Sequence, residues 1–116
     1  MADCVFCKIG AGEIPAKVVY RDEDVVAIED LNPQAPTHVL VMPVQHYATL
    51  WEAAAAKSKG GPLGARLVEL AAQLGTDLGG SKGFRLVVNT GPDGGQTVDH
   101  VHLHVLAGRH MTWPPG

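Results

Sequence analysis

Runs of apolar and β-branched residues, separated by turn signals, recur along this chain and predict five short strands. These strands cover residues 17–20, 25–29, 38–42, 84–89 and 98–107. One segment has a different period: leucines spaced three and four residues apart predict a helix over 63–78, which begins after Pro62 and ends at Gly79 and Gly80. The two periods separate one substantial helix from a set of strands.

The connections between these elements indicate the fold class. The acidic turn at 21–24 joins the first two strands as a hairpin, and the proline-containing segment 30–37 is expected to be a loop. Residues 4–10 predict one short helical turn, because glycines and a proline follow them, whereas 47–61 favour no single element. The sequence predicts an α+β fold: a five-stranded antiparallel sheet with one main helix and one short N-terminal helix.

The last predicted strand carries the most informative pattern. His100, His102 and His104 alternate with three apolar residues, and side chains on a strand point alternately to opposite faces. One face therefore presents three imidazoles while the other can pack into a core. Three interpretations are open: a solvent-facing polar strand, a metal site of the His-x-His type, or nucleophilic catalysis, in which neutral imidazole attacks phosphorus or carbon.

The loop at 91–97, which precedes these histidines, is rich in glycine. Small residues leave backbone N–H groups free, and a concave run of such groups binds anions. Asn89, Gln96 and Thr97 add side-chain donors beside it. Taken alone, the loop could be a plain hairpin turn; next to a row of imidazoles, it points to a bound phosphate.

Composition narrows the classes of protein. The 116 residues suit one domain over 1–116, and a net charge of −3 offers no basic surface for nucleic acid. No apolar run is long enough to span a membrane. The first ten residues lack the features of a signal peptide, so we expect a cytoplasmic protein.

Cys4 and Cys7, the only cysteines, have the spacing with which two thiolates hold one zinc ion. In a cytoplasmic protein, such a pair is expected to be a metal site or reduced thiols rather than a structural disulfide. Two further ligands would have to come from elsewhere in the chain.

Several stretches of the chain together resemble a known protein family. The stretch GGQTVDHVHLHVLAGR resembles the pattern of the histidine triad (HIT) family, His-φ-His-φ-His-φ-φ with φ apolar, and the ending MTWPPG resembles its Hint branch of nucleotide-binding phosphoramidases. The first half of the family pattern is matched by EIPAKVVYRDEDVVAIEDLNPQAPTHVLVMP, and its second half by KGFRLVVNTGPDGGQ. The likeness implies a HIT-like fold. It also implies a hydrolase that cleaves the P–N bond of adenosine 5′-phosphoramidates, or related aminoacyl-adenylates, to AMP through a nucleotidyl-histidine intermediate, with no cofactor required for the chemistry.

The resemblance also implies roles for single residues. Among the catalytic positions, His102 matches the nucleophile, His104 the donor to the phosphate and leaving amine, and His38 a further histidine nearby, with His100 as the first member of the triad. Asp30 matches the ribose-binding carboxylate. The remaining nucleotide-binding matches are Asn89, Gly95, Gln96 and Thr97 at the phosphate and leaving group, Val5, Phe6, Ile9, Ile28 and Leu31 at the purine, and Trp113 in the tail.

Two further properties follow from the same resemblance. The ligand positions of zinc-bearing relatives correspond in this chain to Cys4, Cys7, His46 and His100. These four ligands would make a closed structural zinc site without an open position. The Hint branch implies a homodimer in which the tail at 112–116 lies near the partner's active site and influences the choice of leaving group.

Other functions stay open at this stage. A nucleotide-binding regulatory or scaffold protein with incidental catalysis would use the same pocket. A metalloenzyme with all three triad histidines as ligands would lose activity with a chelator. Within the hydrolase class, the alternative is a dinucleoside polyphosphate hydrolase. We expect a purine nucleotide of AMP type as the ligand, with no nucleic acid and no membrane as partner.

Overall fold

The computed structural model describes residues 4–79 and 81–116, so Gly80 of the predicted helix stop lies outside the described residues. The elements in chain order are α1 Val5–Gly10, β1 Val18–Arg21, β2 Val25–Glu29, β3 Thr37–Pro43, α2 Leu50–Ala55, β4 Lys57–Ser58, β5 Gly61–Pro62, α3 Leu63–Asp77, β6 Phe84–Val88 and β7 Leu103–Ala107. Five strands form an antiparallel sheet in the order β1-β2-β3-β7-β6, and β4 pairs with β5 in a separate ribbon. The predicted α+β fold, with its main helix and short N-terminal helix, is confirmed.

The main core lies on the face of the sheet that α2 and α3 cover. Its buried residues are Val25, Ala27, Val39, Val41, Ala53, Leu63, Leu67, Leu70, Ala71, Leu74, Val101, Leu103 and Val105. The leucine stripe of α3 supplies the helical side, as its spacing predicts. Gly75 lets the helix approach β6, because a Cβ there would lie 2.6 Å from the Phe84 ring.

The opposite face of the sheet is covered at one end by α1. Phe6 and Ile9 of this helix pack on a smaller cluster that includes Ile28 and Met42. The alternation predicted for 100–105 is present: Val101, Leu103 and Val105 enter the main core, and the imidazoles lie on the α1 side. The core thus fixes the orientation of the histidines.

The histidine strand is shorter than the predicted 98–107, because β7 begins at Leu103. In the β3–β7 register, Val41 lies opposite Leu103, so Pro43 would lie opposite Val101. Proline has no N–H to continue a ladder. Val101 instead donates its N–H to the carbonyl of Tyr47 over 2.8 Å.

The segment 47–61, for which the sequence favoured no single element, contains α2 and the small β4–β5 ribbon. A capping box starts α2: Thr49 and Glu52 each accept from the other's backbone N–H at 3.4 Å. The sequence carries this signal as Thr-x-x-Glu ahead of an alanine-rich run. Within the two described ranges, no helix is long and apolar enough to cross a membrane.

Candidate active site and metal site

Three imidazoles meet on the α1 side of the sheet, two of them placed by the sheet register and the third, His102, by the segment just before β7. His104 on β7 lies opposite Leu40 on β3, and His38 is two residues before Leu40 on the same strand. The rings of His102 and His104 lie 5.1 Å apart, and those of His38 and His104 lie 5.2 Å apart, between centroids. Residues 38 and 104 thus meet although they are distant in sequence.

A backbone carbonyl fixes the tautomer of His102. Nδ1 of its ring lies 2.8 Å from the carbonyl oxygen of His100, and a carbonyl can only accept, so Nδ1 carries the proton. In the neutral ring, Nε2 then carries a lone pair and no proton, which is the form that a nucleophilic imidazole requires. His102 is 8% exposed, and its ring packs edge-on against the ring of Phe6, with the two centroids 5.0 Å apart.

A second chain of hydrogen bonds fixes His38 and His104. The backbone N–H of Gln34 donates to Nδ1 of His38 over 3.0 Å, so the His38 proton is on Nε2. That group donates to Nδ1 of His104 over 2.9 Å, and the His104 proton is therefore on its own Nε2. Asp30 Oδ2 lies 3.4 Å from His38 Nε2. These three side chains have the composition of a metal site. For Nε2 of His38 to ligate a metal, however, its proton would have to move to Nδ1, which already accepts from the Gln34 N–H, so this tautomer opposes metal binding.

Burial keeps this pair of rings uncharged. Burial, together with neighbouring His102 and His38, lowers the pKa of His104 to about 4, although Asp30 acts in the opposite direction. Burial also lowers the pKa of His38, against the effect of Asp30. At neutral pH both rings are neutral and act through hydrogen bonds.

A cavity of about 450 Å³ opens beside His38 and His104. Its other walls include Val87 of β6, Asn89 just after this strand, and Trp113 of the C-terminal tail. This volume suits a small molecule. His102 is not part of the cavity lining; its ring lies between Phe6 and His104.

Arg85 attaches the tail to the sheet. Its guanidinium donates to the carbonyl oxygens of Thr112 at 2.8 Å and Pro114 at 3.5 Å. Between these two anchors, Trp113 is 86% exposed although it borders the cavity. An arginine in an otherwise apolar strand was the available sequence signal for this role, and sequence reasoning missed it.

The glycine-rich loop differs from the expected row of free amides. The N–H groups of Gly91, Gly95 and Gln96 donate within the loop, to Gln96 Oε1, the Pro92 carbonyl and the Gly91 carbonyl. The Gln96 amide also donates to the carbonyls of Ala48 and Val98. For these three amides the prediction of free donors is wrong, because the loop closes on itself as turns. Phosphate contacts by Asn89, Gly95, Gln96 and Thr97 stay predictions.

The predicted base pocket is only partly assembled. Phe6, Ile9 and Ile28 belong to one buried cluster under α1, whereas Val5 is 40% and Leu31 is 94% exposed. Asp30 Oδ1 accepts from the N–H of Asn32 over 2.8 Å, which shapes the loop after β2. The nucleotide contacts of these residues stay predictions.

Four side chains from distant parts of the chain converge beside α1. Cys4 Sγ lies 3.3 Å and Cys7 Sγ 3.5 Å from Nδ1 of His100, and Cys7 Sγ lies 3.4 Å from Nδ1 of His46. Zinc bonds of ordinary length to sulfur and nitrogen in a tetrahedron separate the ligand atoms by roughly 3.6 Å. All four ligand atoms lie within 4.8 Å of one another, so the cluster fits a zinc ion.

The chemistry of this cluster also suits a metal. His100 donates its Nε2–H to the Pro43 carbonyl over 2.9 Å, which leaves Nδ1 as a lone pair aimed at the cysteines. Burial raises the pKa of the Cys7 thiol, and neighbouring Cys4 raises it further. A bound cation would offset the cost of placing two thiolates together. The groups that orient His100 and His38, the Pro43 carbonyl and the Gln34 N–H, belong to the main chain, so the sequence gives no signal for either role.

Comparisons with known proteins agree with this architecture. A family model described as the HIT domain matches residues 11–111. An uncharacterized HIT-like protein of Synechococcus elongatus is 48% identical over 115 residues, covering 98% of this chain and 97% of its own length. A 14 kDa zinc-binding protein of Zea mays is 45% identical over 112 residues, covering 97% of this chain and 87% of its own. The crystal structure of a HIT family hydrolase from Legionella pneumophila has a TM-score of 0.87 at 46% identity, covering 98% of this chain and 100% of that one. By the extent and identity of these matches, the chain belongs to the HIT domain family.

Proposed function

We propose that this protein is a nucleotide-binding hydrolase of the Hint branch, which cleaves the P–N bond of adenosine 5′-phosphoramidates to AMP and an amine. The observation that carries the proposal is the 2.8 Å bond from Nδ1–H of His102 to the His100 carbonyl, which leaves the lone pair of Nε2 unprotonated. The solved relative from Legionella pneumophila, described as a hydrolase, supports this class.

In the first step, His102 Nε2 attacks the α-phosphorus, a bond forms between phosphorus and Nε2, and the P–N bond to the amine breaks. The leaving nitrogen takes up one proton from water at the open side of the cavity. In the second step, a water molecule attacks the same phosphorus, the bond to His102 breaks, and one proton returns to solvent. The sum is phosphoramidate plus water giving AMP plus amine.

His104 serves this reaction as a hydrogen-bond donor. Its Nδ1 accepts from His38, so its Nε2–H is available to a nonbridging phosphoryl oxygen. A donor held in place stabilises the negative charge that develops on that oxygen. Because the His104 pKa is lowered to about 4, the ring is a poor source of a full proton at neutral pH, which argues against His104 as the proton donor to the leaving amine.

The substrate would lie across the open part of this face. Phe6, Ile9 and Ile28 offer apolar surface for the purine, and Asp30 offers a carboxylate for the ribose hydroxyls. The cavity bordered by Asn89 and Trp113 would then receive the leaving group.

We also propose that the protein is a homodimer joined through β6. This strand ends the sheet, carries no proline, and pairs with β7 in a regular register. Such an edge favours pairing with a second strand. An antiparallel copy would extend the sheet across the two protomers. It would also bring the tail of each protomer near the active site of its partner. Sedimentation of the wild type and of Val87→Glu tests this: a dimer that becomes a monomer is expected, and a wild-type monomer contradicts the proposal.

For the cluster of Cys4, Cys7, His46 and His100, we propose a structural zinc ion. Bound zinc would supply a cross-link between α1 and the end of β3, not reactivity, since the site has no open position. Elemental analysis of protein purified without chelator should give near one zinc per chain. Cys7→Ser should lower the zinc content. The proposal would be contradicted if the metal-free wild type had the same free energy of unfolding as the zinc-loaded protein.

The central test is turnover of an adenosine 5′-phosphoramidate, measured as AMP released, together with the intact mass of the protein after rapid mixing. We expect a transient mass increase of one AMP moiety in the wild type. His102→Ala should lose both signals but still bind AMP, and His110→Ala, which changes an exposed histidine, should keep both. Binding without turnover in the wild type would favour the regulatory or scaffold function instead.

A further inference from the structure

The metal cluster and the catalytic histidine share a residue. His100 directs Nδ1 of its fully buried ring at Cys4 and Cys7. The main-chain carbonyl of the same residue accepts the Nδ1–H of His102. A shift of the His100 backbone toward or away from the cysteines therefore also moves the group that fixes the His102 tautomer.

Phe6 links the two sites a second time. It lies between the two cysteines in α1, and its ring makes edge contacts with His100 at 5.8 Å and with His102 at 5.0 Å between centroids. The position of α1 therefore determines whether one side of the His102 ring is packed. Among the described residues, the other aromatic contact of His102 is the ring of His104.

Neither connection is fixed by regular secondary structure. The helix α1 has six residues, a length at which a helix is not stable without tertiary support. His100 and His102 precede the first residue of β7 and are outside the sheet ladder. Cys4 is the N-cap of α1, where its Sγ accepts from the Cys7 N–H at 3.3 Å. The position of both parts therefore depends on tertiary contacts: the apolar packing of α1 on the sheet, the bond from His100 to the Pro43 carbonyl, and the side chains of the metal cluster.

We infer that α1 is a positioning device for the nucleophile: metal ligation by Cys4 and Cys7 holds α1 and His100 so that His102 keeps one tautomer and one ring orientation. This inference rests on the proposed function for the role of His102 in the reaction. Phe6 and His100 are positioning residues in this scheme. Loss of the metal would leave the fold of the sheet intact and release the His102 ring.

The test compares metal-loaded protein with protein treated with a chelator, at a single pH. The ¹⁵N chemical shifts of the His102 ring report the tautomer without substrate. We expect the loaded protein to show Nδ1 protonated and Nε2 bare, and the treated protein to show averaged shifts. Formation of the nucleotidyl protein in a single turnover should slow about tenfold or more, while the affinity for AMP changes less. Adding zinc back should restore both signals.

A variant separates positioning from metal binding. Phe6→Leu keeps both cysteines and an apolar side chain, so it should bind zinc normally while the His102 shifts average and the single-turnover rate falls. Lys8→Ala, on the same helix and outside the cluster, should match the wild type in both. This pair of variants decides the question even if the metal-free protein unfolds.

The inference is overturned if folded, metal-free protein keeps the His102 shifts and the single-turnover rate of the loaded form, or if Phe6→Leu changes neither. Failure of the proposed function looks different. In that case His102→Ala would leave turnover unchanged, whereas the dependence of the ring shifts on metal would persist.

Discussion

The Nε2–H of His38 lies 2.9 Å from Nδ1 of His104 and donates to it, which determines which nitrogen of His104 carries the proton. The arrangement has one solution because the Gln34 N–H already occupies Nδ1 of His38. A residue of β3 thus sets the hydrogen-bonding character of a residue of β7 that is 66 positions away.

The first prediction concerns this bond. His38→Phe keeps a ring of similar volume but removes the donor, so His104 can adopt the other tautomer and lose its Nε2–H. We expect phosphoramidate turnover to fall about tenfold. His38→Gln places an amide donor near the position of Nε2 and should lose less. Equal turnover in the wild type and His38→Phe would show that the bond has no role in the reaction.

The second prediction concerns pH. Because burial lowers the His104 pKa to about 4, below the ordinary value near 6.5, the unfolded chain binds the proton more readily than the folded one. This contribution to stability is complete above about pH 6.5 and is lost as the pH falls toward 4. A titration of the His104 ring by NMR should give a midpoint near 4, and a midpoint near 6.5 would contradict the burial argument.

The third prediction concerns the β1–β2 hairpin. Burial acts to raise the pKa of Asp22, but hydrogen bonds from the Val25 and Asp24 N–H groups, Tyr20 and Arg66 lower it to about 2. Asp22→Asn should cost about 1–3 kcal/mol of the free energy of unfolding at pH 7, since the charge and one of the two acceptor oxygens of a half-buried network are lost. The contribution is present above about pH 3.8 and is lost as the pH falls through 2.

Denaturant unfolding at pH 7 and pH 3 measures this effect, and the gap between Asp22→Asn and the wild type should narrow at the lower pH. Glu23→Gln is the matched control, since Glu23 pairs with Lys59 on the surface and an exposed pair contributes little. An equal loss of stability in both variants would mean that the position in the turn matters, and not the hydrogen-bond network of Asp22.

The fourth prediction concerns the tail. Deletion of 112–116, or Arg85→Gln, which releases the Thr112 and Pro114 carbonyls, should change the ratio of turnover rates among phosphoramidates with different amines. The free energy of unfolding should change by no more than about 0.5 kcal/mol, as for other exposed changes. Arg21→Gln on the exposed edge of β1 is the control. An unchanged ratio of rates in both tail variants would exclude a role in leaving-group choice.

The sequence by itself determined the features that depend on local periodicity. The alternation at 100–105 separates imidazoles from core residues because successive side chains of an extended chain point to opposite sides. The leucine spacing determined α3, and the turn at 21–24 determined the first hairpin, for equally local reasons. The capping box at Thr49 was also readable, although sequence reasoning did not use it.

Only the tertiary structure decided the features that depend on partners distant in the chain. The start of β7 depends on Pro43 in the neighbouring strand, and the convergence of Cys4 with His100, 96 positions away, depends on how α1 packs on the sheet. The tautomers of His38 and His102 depend on main-chain N–H and carbonyl groups. Every residue carries these groups, so residue identity gives no signal for them, and only the fold selects which ones meet an imidazole.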